Sequence, residues 1–84
     1  MSNEELHEAV RTTIIDVLDI DESTVITNST TAEDIPGWDS LQNVRIMLAL
    51  EKKFGIRWQE QEIKNLQNVG DLFEKISGKV TGKR

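Results

Sequence analysis

Gly37-Trp38-Asp39-Ser40-Leu41-Gln42-Asn43-Val44-Arg45-Ile46-Met47-Leu48-Ala49-Leu50-Glu51-Lys52-Lys53-Phe54-Gly55 reads as one long helix with its start and stop both in the residues. Asp and Ser are favoured where a helix begins, because their side-chain oxygens accept from orphan backbone N–H groups. Gly55 supplies the stop. Between them Leu41, Val44, Ile46, Met47, Leu48, Leu50 and Phe54 spread over an arc of about 220° at 100° per residue. So broad an apolar arc predicts a central helix packed on two sides. Gln42, Arg45, Ala49, Lys52 and Lys53 are left on the remaining arc for water or a partner.

Upstream of this helix, residues 20–39 have no helical period and are rich in Ser, Thr, Asn and Asp, with Pro36 and Gly37 near the end. They read as a long loop, and a connection near twenty residues is unusual enough in a compact domain to be functional or disordered. Val25-Ile26-Thr27 favours a strand but has no second strand to pair with. Val25, Ile26 and Ile35 are expected to pin the loop to the core. Before the loop, Leu6, Val10, Ile14, Val17 and Leu18 mark the buried stripe of a first helix. Ser2 and Glu5 have capping-box spacing at its start. The β-branched run from Thr12 to Ile15 weakens its intrinsic propensity, so packing must hold it.

Downstream, a short helix is expected over about residues 59–66, anchored by Ile63 and Leu66. A last helix opens at an Asn68 cap, shows Val69, Leu72, Phe73 and Ile76 at i, i+3, i+4 and i+7, and is expected to stop at Gly78. The pattern is all-α: a bundle of four helices in one domain over residues 1–78, with a long loop between the first two helices, a short third helix, and a basic, flexible tail at residues 79–84.

The 84 residues carry a net charge of −5, with 37% hydrophobic and 30% charged residues and no cysteine. Disulfides, thiolate metal sites and cysteine nucleophiles are therefore excluded. The charge is uneven: residues 1–39 hold ten acids and one base, residues 40–84 five acids and nine bases. A negative total argues against nucleic-acid binding. No apolar stretch is long enough to cross a membrane and the acidic start lacks a basic leader, so a cytoplasmic protein is expected. His7 stands without company and reads as an ordinary surface residue, not a ligand. Asp19-Ile20-Asp21-Glu22 begins like a calcium loop but has Thr24 where Gly is required and Thr30 where Glu is. No catalytic or metal constellation is present, and no enzyme is expected.

Chemistry is concentrated at the junction Gly37-Trp38-Asp39-Ser40-Leu41. Ser40 can be a plain helix cap. On the residues alone that is the favoured account, but the position also puts a hydroxyl at the positive end of a helix dipole, where a phosphate ester is well placed and an external enzyme can reach it. Asp39 can help orient a metal–phosphate group there.

That stretch, followed by Val44, Leu48-Ala49-Leu50-Glu51 and Phe54-Gly55-Ile56, resembles the acyl carrier protein family, whose signature is Asp-Ser-Leu at the start of its second helix. The similarity extends over nearly the whole chain, including a last helix opening Leu66-Gln67-Asn68-Val69-Gly70-Asp71-Leu72. It implies a four-helix bundle whose Ser40, flanked by Asp39 and Leu41, receives a 4'-phosphopantetheine arm from coenzyme A. A phosphopantetheinyl transferase using magnesium would attach it. Acyl-loading and acyl-transferring enzymes would be the further partners of a monomeric, non-catalytic carrier. In such carriers the acyl chain can retreat between the helices. By position the pocket candidates are Leu41, Val44, Leu48, Ile56, Trp58, Ile63, Leu66 and Phe73, though each is also explained as ordinary core.

Two features depart from the family pattern. Carriers of primary fatty-acid synthesis present an acidic second helix, whereas Gln42, Arg45, Ala49 and Lys52, with Lys53 beside them, make this one net positive. That implies a dedicated pathway, in specialised lipid, polyketide or surface-glycan acylation, because like charges reject wrong partners. Neutral drift of the surface is the alternative. Trp58 stands where a smaller aliphatic residue is usual. Turned inward it would shorten the pocket; turned outward it would cover the surface. An aminoacyl or D-alanyl-type carrier and a degenerate module that never receives the arm are the rival readings.

Overall fold

Two stripes of apolar side chains, one early and one late in the sequence, close on the central helix. The computed structural model describes residues 3–82. Helix α1 spans Asn3–Leu18, α2 Ser40–Phe54, α3 Glu60–Asn65 and α4 Val69–Gly82, with a 3-10 turn at Ala32–Asp34 and no strand among the described residues. The Ser2 capping box expected at the first helix lies outside the described residues.

Leu6, Val10 and Ile14 of α1 meet Ile46 and Leu50 of α2 and Val69, Leu72 and Ile76 of α4 in one core. Ile26, Ile35 and Ile56 add to it from the connections. The β-branched run of α1 is held by burial of Thr13, Ile14 and Ile15, and the Thr13 hydroxyl is satisfied by donating to the Ala9 carbonyl at 2.8 Å. Without that bond its burial would cost free energy.

The long connection is docked. Its Thr30 carbonyl accepts from Val69 N–H and its Asn28 carbonyl from Gly70 N–H, both at 2.8 Å. These carbonyls satisfy donors that the start of α4 would otherwise leave orphaned. The Asn68 cap is present: its Oδ1 accepts from Asp71 N–H at 2.8 Å.

Several expectations are corrected. Val25 is 78% exposed and pins nothing, while its neighbour Ile26 is buried. In extended chain successive side chains point opposite ways, so only one of the two can face the core. The apolar arc of α2 is covered on one side only. Ile46, Met47 and Leu50 are buried, but Leu41, Val44 and Leu48 remain 64%, 50% and 53% exposed. The six-residue α3 is too short to cover both flanks of a fifteen-residue helix.

The last helix runs through Gly78 to Gly82. Val80, four residues after Ile76, continues the stripe and packs against the core, which outweighs the roughly 1 kcal/mol disadvantage of an interior glycine. Lys79 to Gly82, set apart as a tail by the sequence, therefore belong to α4; Lys83 and Arg84 lie outside the described residues. His7 is half-buried rather than on the open surface. Its ring lies 4.8 Å from that of Phe73 and its Nε2 is 2.7 Å from Asn28 Oδ1, tying α1 to both α4 and the loop.

Candidate functional site at the start of the central helix

Ile35-Pro36-Gly37-Trp38 forms a tight turn closed by Trp38 N–H donating to the Ile35 carbonyl at 3.2 Å. Pro36 followed by Gly37 at φ +89° is the pattern of a type II turn, whose third position requires positive φ. The turn delivers two neighbours in opposite directions. Trp38 goes inward, half-buried against the core, and Asp39 goes to the start of α2.

Asp39 is the cap. Its backbone is extended, its Oδ1 accepts from Gln42 N–H at 2.9 Å, and its carbonyl accepts the first helical bond from Asn43 N–H at 2.8 Å. Ser40 is therefore the first helical residue, exposed, and its hydroxyl is not the capping group. No acidic side chain stands in the first turn of α2. An anion on the Ser40 oxygen would sit at the positive end of the helix, an interaction of about 0.3–1 kcal/mol. These residues fit a phosphate ester. Among the described residues no cluster of three or more His, Cys, Asp or Glu is placed to hold a metal.

Next to this start lies a cavity of about 50 Å³, lined by Thr30, Trp38, Asn43, Met47, Leu66 and Leu72 among others. Trp38 Nε1–H donates to Asn43 Oδ1 at 3.0 Å and fixes the indole against the cavity wall. Of the eight pocket candidates drawn from the sequence, only Leu66 lines this space. Leu41, Val44 and Leu48 are on the surface, and Ile56 lies in the main core. Ile63 is half-buried against the core, and Phe73 meets His7.

Trp58 is half-buried beyond the cavity lining. Its backbone N–H donates to Glu51 Oε2 at 2.9 Å, Lys79 Nζ stands 5.5 Å from its ring centroid, and its indole Nε1–H is buried with no hydrogen-bond partner among the described residues. The same Lys79 pairs with Glu62 at 2.9 Å, and this hydrogen bond is the main cause holding the Glu62 carboxyl below its usual range.

Trp38, not Trp58, lines this cavity. Trp38, Asn43, Met47 and Leu72 were not among the pocket candidates, and the one signal for them is that Trp38 and Asn43 bracket Ser40 in the chain.

On the outer side of α2, Arg45, Lys52 and Lys53 are exposed, while Gln42 and Ala49 are half-buried. Glu51, the one acid of the helix, is occupied with the Trp58 backbone. The positive groups thus dominate the face beside the exposed Leu41, Val44 and Leu48.

The model of the phosphopantetheine attachment site matches residues 8–76. The chain is 34% identical over 80 residues to the acyl carrier protein of Thermosynechococcus vestitus, covering 95% of this chain and 98% of that one. Against the acyl carrier protein of Akkermansia muciniphila it is 35% identical over 81 residues, 93% of this chain and 100% of the other. Among solved structures it is similar to the holo acyl carrier protein from Geobacter metallireducens, with a TM-score of 0.85 and 35% identity, covering 93% of this chain and 88% of that one.

Proposed function

Because this chain belongs to the acyl carrier protein family, with a phosphopantetheine attachment domain, we propose that Ser40 is its attachment point and that it serves a dedicated acylation pathway. The observation that carries the first part is the division of roles at the start of α2. Asp39 caps the helix, so the Ser40 hydroxyl is exposed and free of that duty.

The 4'-phosphopantetheine arm supplies a terminal thiol that holds an acyl group as a thioester. The chain's own residues supply placement. Ser40 offers the oxygen that a transferase joins to the arm. The first-turn N–H groups of α2 favour the resulting negative charge. Asp39, with Oδ1 committed to the cap, has its second carboxylate oxygen available for a transferase's magnesium. Exposed Leu41, beside Ser40, begins an apolar stripe with Val44 and Leu48 on which partner enzymes can rest. Carriers of this family act by delivery to transferases and synthetic enzymes. No described helix is long and apolar enough to cross a membrane.

The dedicated pathway, in specialised lipid, polyketide or surface-glycan acylation, is supported by the sign of the α2 face. Arg45, Lys52 and Lys53 would repel an enzyme whose docking patch is itself basic.

Intact mass spectrometry tests the attachment. Incubated with coenzyme A, magnesium and a broad-specificity transferase, the wild-type chain should gain one arm, and Ser40→Ala should gain none. An unmodified wild type would reduce the chain to a helical module that has lost the carrier role.

A further inference from the structure

We infer that α3 is a strap in near balance, held to α4 by Lys79 and pushed towards release by the indole of Trp58, and that its release returns Glu51 to the apolar stripe of α2. No arm at Ser40 is required. The one premise taken from the proposed function is that partner enzymes rest on that stripe.

The strap is lightly built. α3 has six residues, none of them fully buried, and its apolar anchors Ile63 and Leu66 are half-buried. So short a helix does not hold itself in water, and contacts from elsewhere must keep it in place. Lys79 provides one. Standing in α4 just beyond Gly78, it donates to Glu62 Oε1 at 2.9 Å and lies 5.5 Å from the Trp58 ring centroid. The same Glu62 oxygen accepts from Gln59 N–H at 2.9 Å, at the start of α3. The Lys79 and Glu62 side chains are 24% and 19% exposed, so solvent screens this pair far less than the open Lys64–Glu60 pair on the strap itself.

Against this hold stands the indole. Trp58 directly precedes Gln59, so it moves with α3. Its Nε1–H is buried with no hydrogen-bond partner among the described residues, whereas Trp38 Nε1–H has the Asn43 oxygen. A buried orphan donor carries a desolvation cost that return to water recovers. The held strap therefore contains one strong favourable contact and one unfavourable burial, both ended by release.

Release also alters α2. Trp58 backbone N–H donates to Glu51 Oε2 at 2.9 Å and occupies the one acid of that helix. Glu51 follows Leu48 by three residues, where helical side chains are neighbours, so it continues the stripe of Leu41, Val44 and Leu48. With the strap held, Lys52 is the charge shown at that end; with the strap released, Glu51 stands beside it. Partners that discriminate by sign meet two different faces.

Amide hydrogen exchange on the apo chain, read residue by residue by NMR, tests this. The reporters are Glu62, Ile63 and Leu66 for the strap, Trp58 for the Glu51 bond, and Val10 and Ile14 for α1. In wild type the strap and the Trp58 amide should exchange together, faster than α1 by about tenfold or more, as a local opening does. Lys79→Met keeps the aliphatic stem and loses the cation, and should quicken the strap by about fivefold. Lys79→Arg should not. Chemical synthesis with benzothienylalanine in place of Trp58, where sulfur replaces the N–H at nearly constant shape, should slow the strap by about fivefold.

Both contacts end on release as well as on unfolding, so these two changes should shift the strap by the same factor as α1. Ile14→Val, in the core, should quicken α1 alone. The synthetic isostere carries the test if Lys79→Met does not fold. A strap that exchanges only in step with α1 in wild type would overturn the inference. So would a strap unmoved by Lys79→Met, an isostere that fails to slow it, or a Trp58 amide that stays protected while the strap exchanges. Because the chain is apo throughout, a failure of Ser40 to accept the arm would leave these results standing.

Discussion

Two adjacent side chains at the start of α2 do separate jobs, and their chemistry allows them to be tested apart. Asp39 accepts from Gln42 N–H, so its first role is to cap. Asn caps a helix about as well as Asp, whereas Ala loses about 1 kcal/mol. Asp39→Asn should therefore leave urea-denaturation stability within about 0.5 kcal/mol of wild type, while Asp39→Ala lowers it by about 1 kcal/mol. If the carboxylate also orients the transferase's magnesium, Asp39→Asn should slow attachment of the arm at least tenfold in a mass-monitored time course. That is the ordinary scale for a group that positions a reacting phosphate. Equal rates for Asp39→Asn and wild type would confine Asp39 to capping. The neighbouring Gly37 has its own requirement, because its φ of +89° belongs to a conformation that a side chain strains.

At the scale of elements, the docking of the long loop on α4 depends on one close approach. A Cβ at Gly70 would stand 2.9 Å from the Asn28 carbonyl oxygen, the same oxygen that accepts the Gly70 N–H. The obstacle is backbone, so the loop must move away rather than a side chain rotate. Gly70→Ala should lower stability by about 1–3 kcal/mol, the usual range for overpacking. Amide hydrogen exchange should quicken at Val69 and at residue 70 before it quickens in α1. Unchanged protection at those two amides would show that the loop is held by Ile26 and Ile35 alone.

None of this docking was visible in the sequence, because it joins carbonyls at positions 28 and 30 to donors forty residues later. Features decided within a few residues were legible: the Asn68 cap, the Gly55 stop, the start of α2 and the stripe of α1. What depended on distant packing was not. Val25 and Ile26 look alike in the chain and part ways in the fold. Gly78 looked like an end until Val80 was given a core to reach. The exposed serine could be read from local chemistry, but the cavity brings Trp38 together with Leu66 and Leu72, which no spacing announces.

Across the whole molecule the charge is divided, ten of the fifteen acids preceding Ser40 and nine of the ten bases following it. The central helix carries this division to the face beside Ser40, where Arg45 and Lys52 are exposed next to an apolar stripe whose middle residue, Val44, is half exposed, while Lys53 stands towards Glu4, Glu5 and Glu8 of α1. An apolar centre provides contact area, and charged surroundings steer the encounter and select the partner. The steering part is screened over about 8 Å at physiological ionic strength, whereas the apolar part is not. Reversing the three bases together, as Arg45→Glu, Lys52→Glu and Lys53→Glu, should therefore raise kcat/KM at least tenfold with loading enzymes of primary fatty-acid synthesis that dock through basic patches. Most of that gain should vanish between 0.05 and 0.5 M salt, on the order expected for screened surface charges. Because Lys52 and Lys53 stand in the last turn of α2 and Lys53 shares a recess with Glu4, Glu5 and Glu8, the exchange should also lower stability by about 1–2 kcal/mol, which is read separately by Tm. A wild type that such enzymes already load as fast as the reversed variant, at low and high salt alike, would make the sign of this face irrelevant to partner choice and remove the argument for a dedicated pathway.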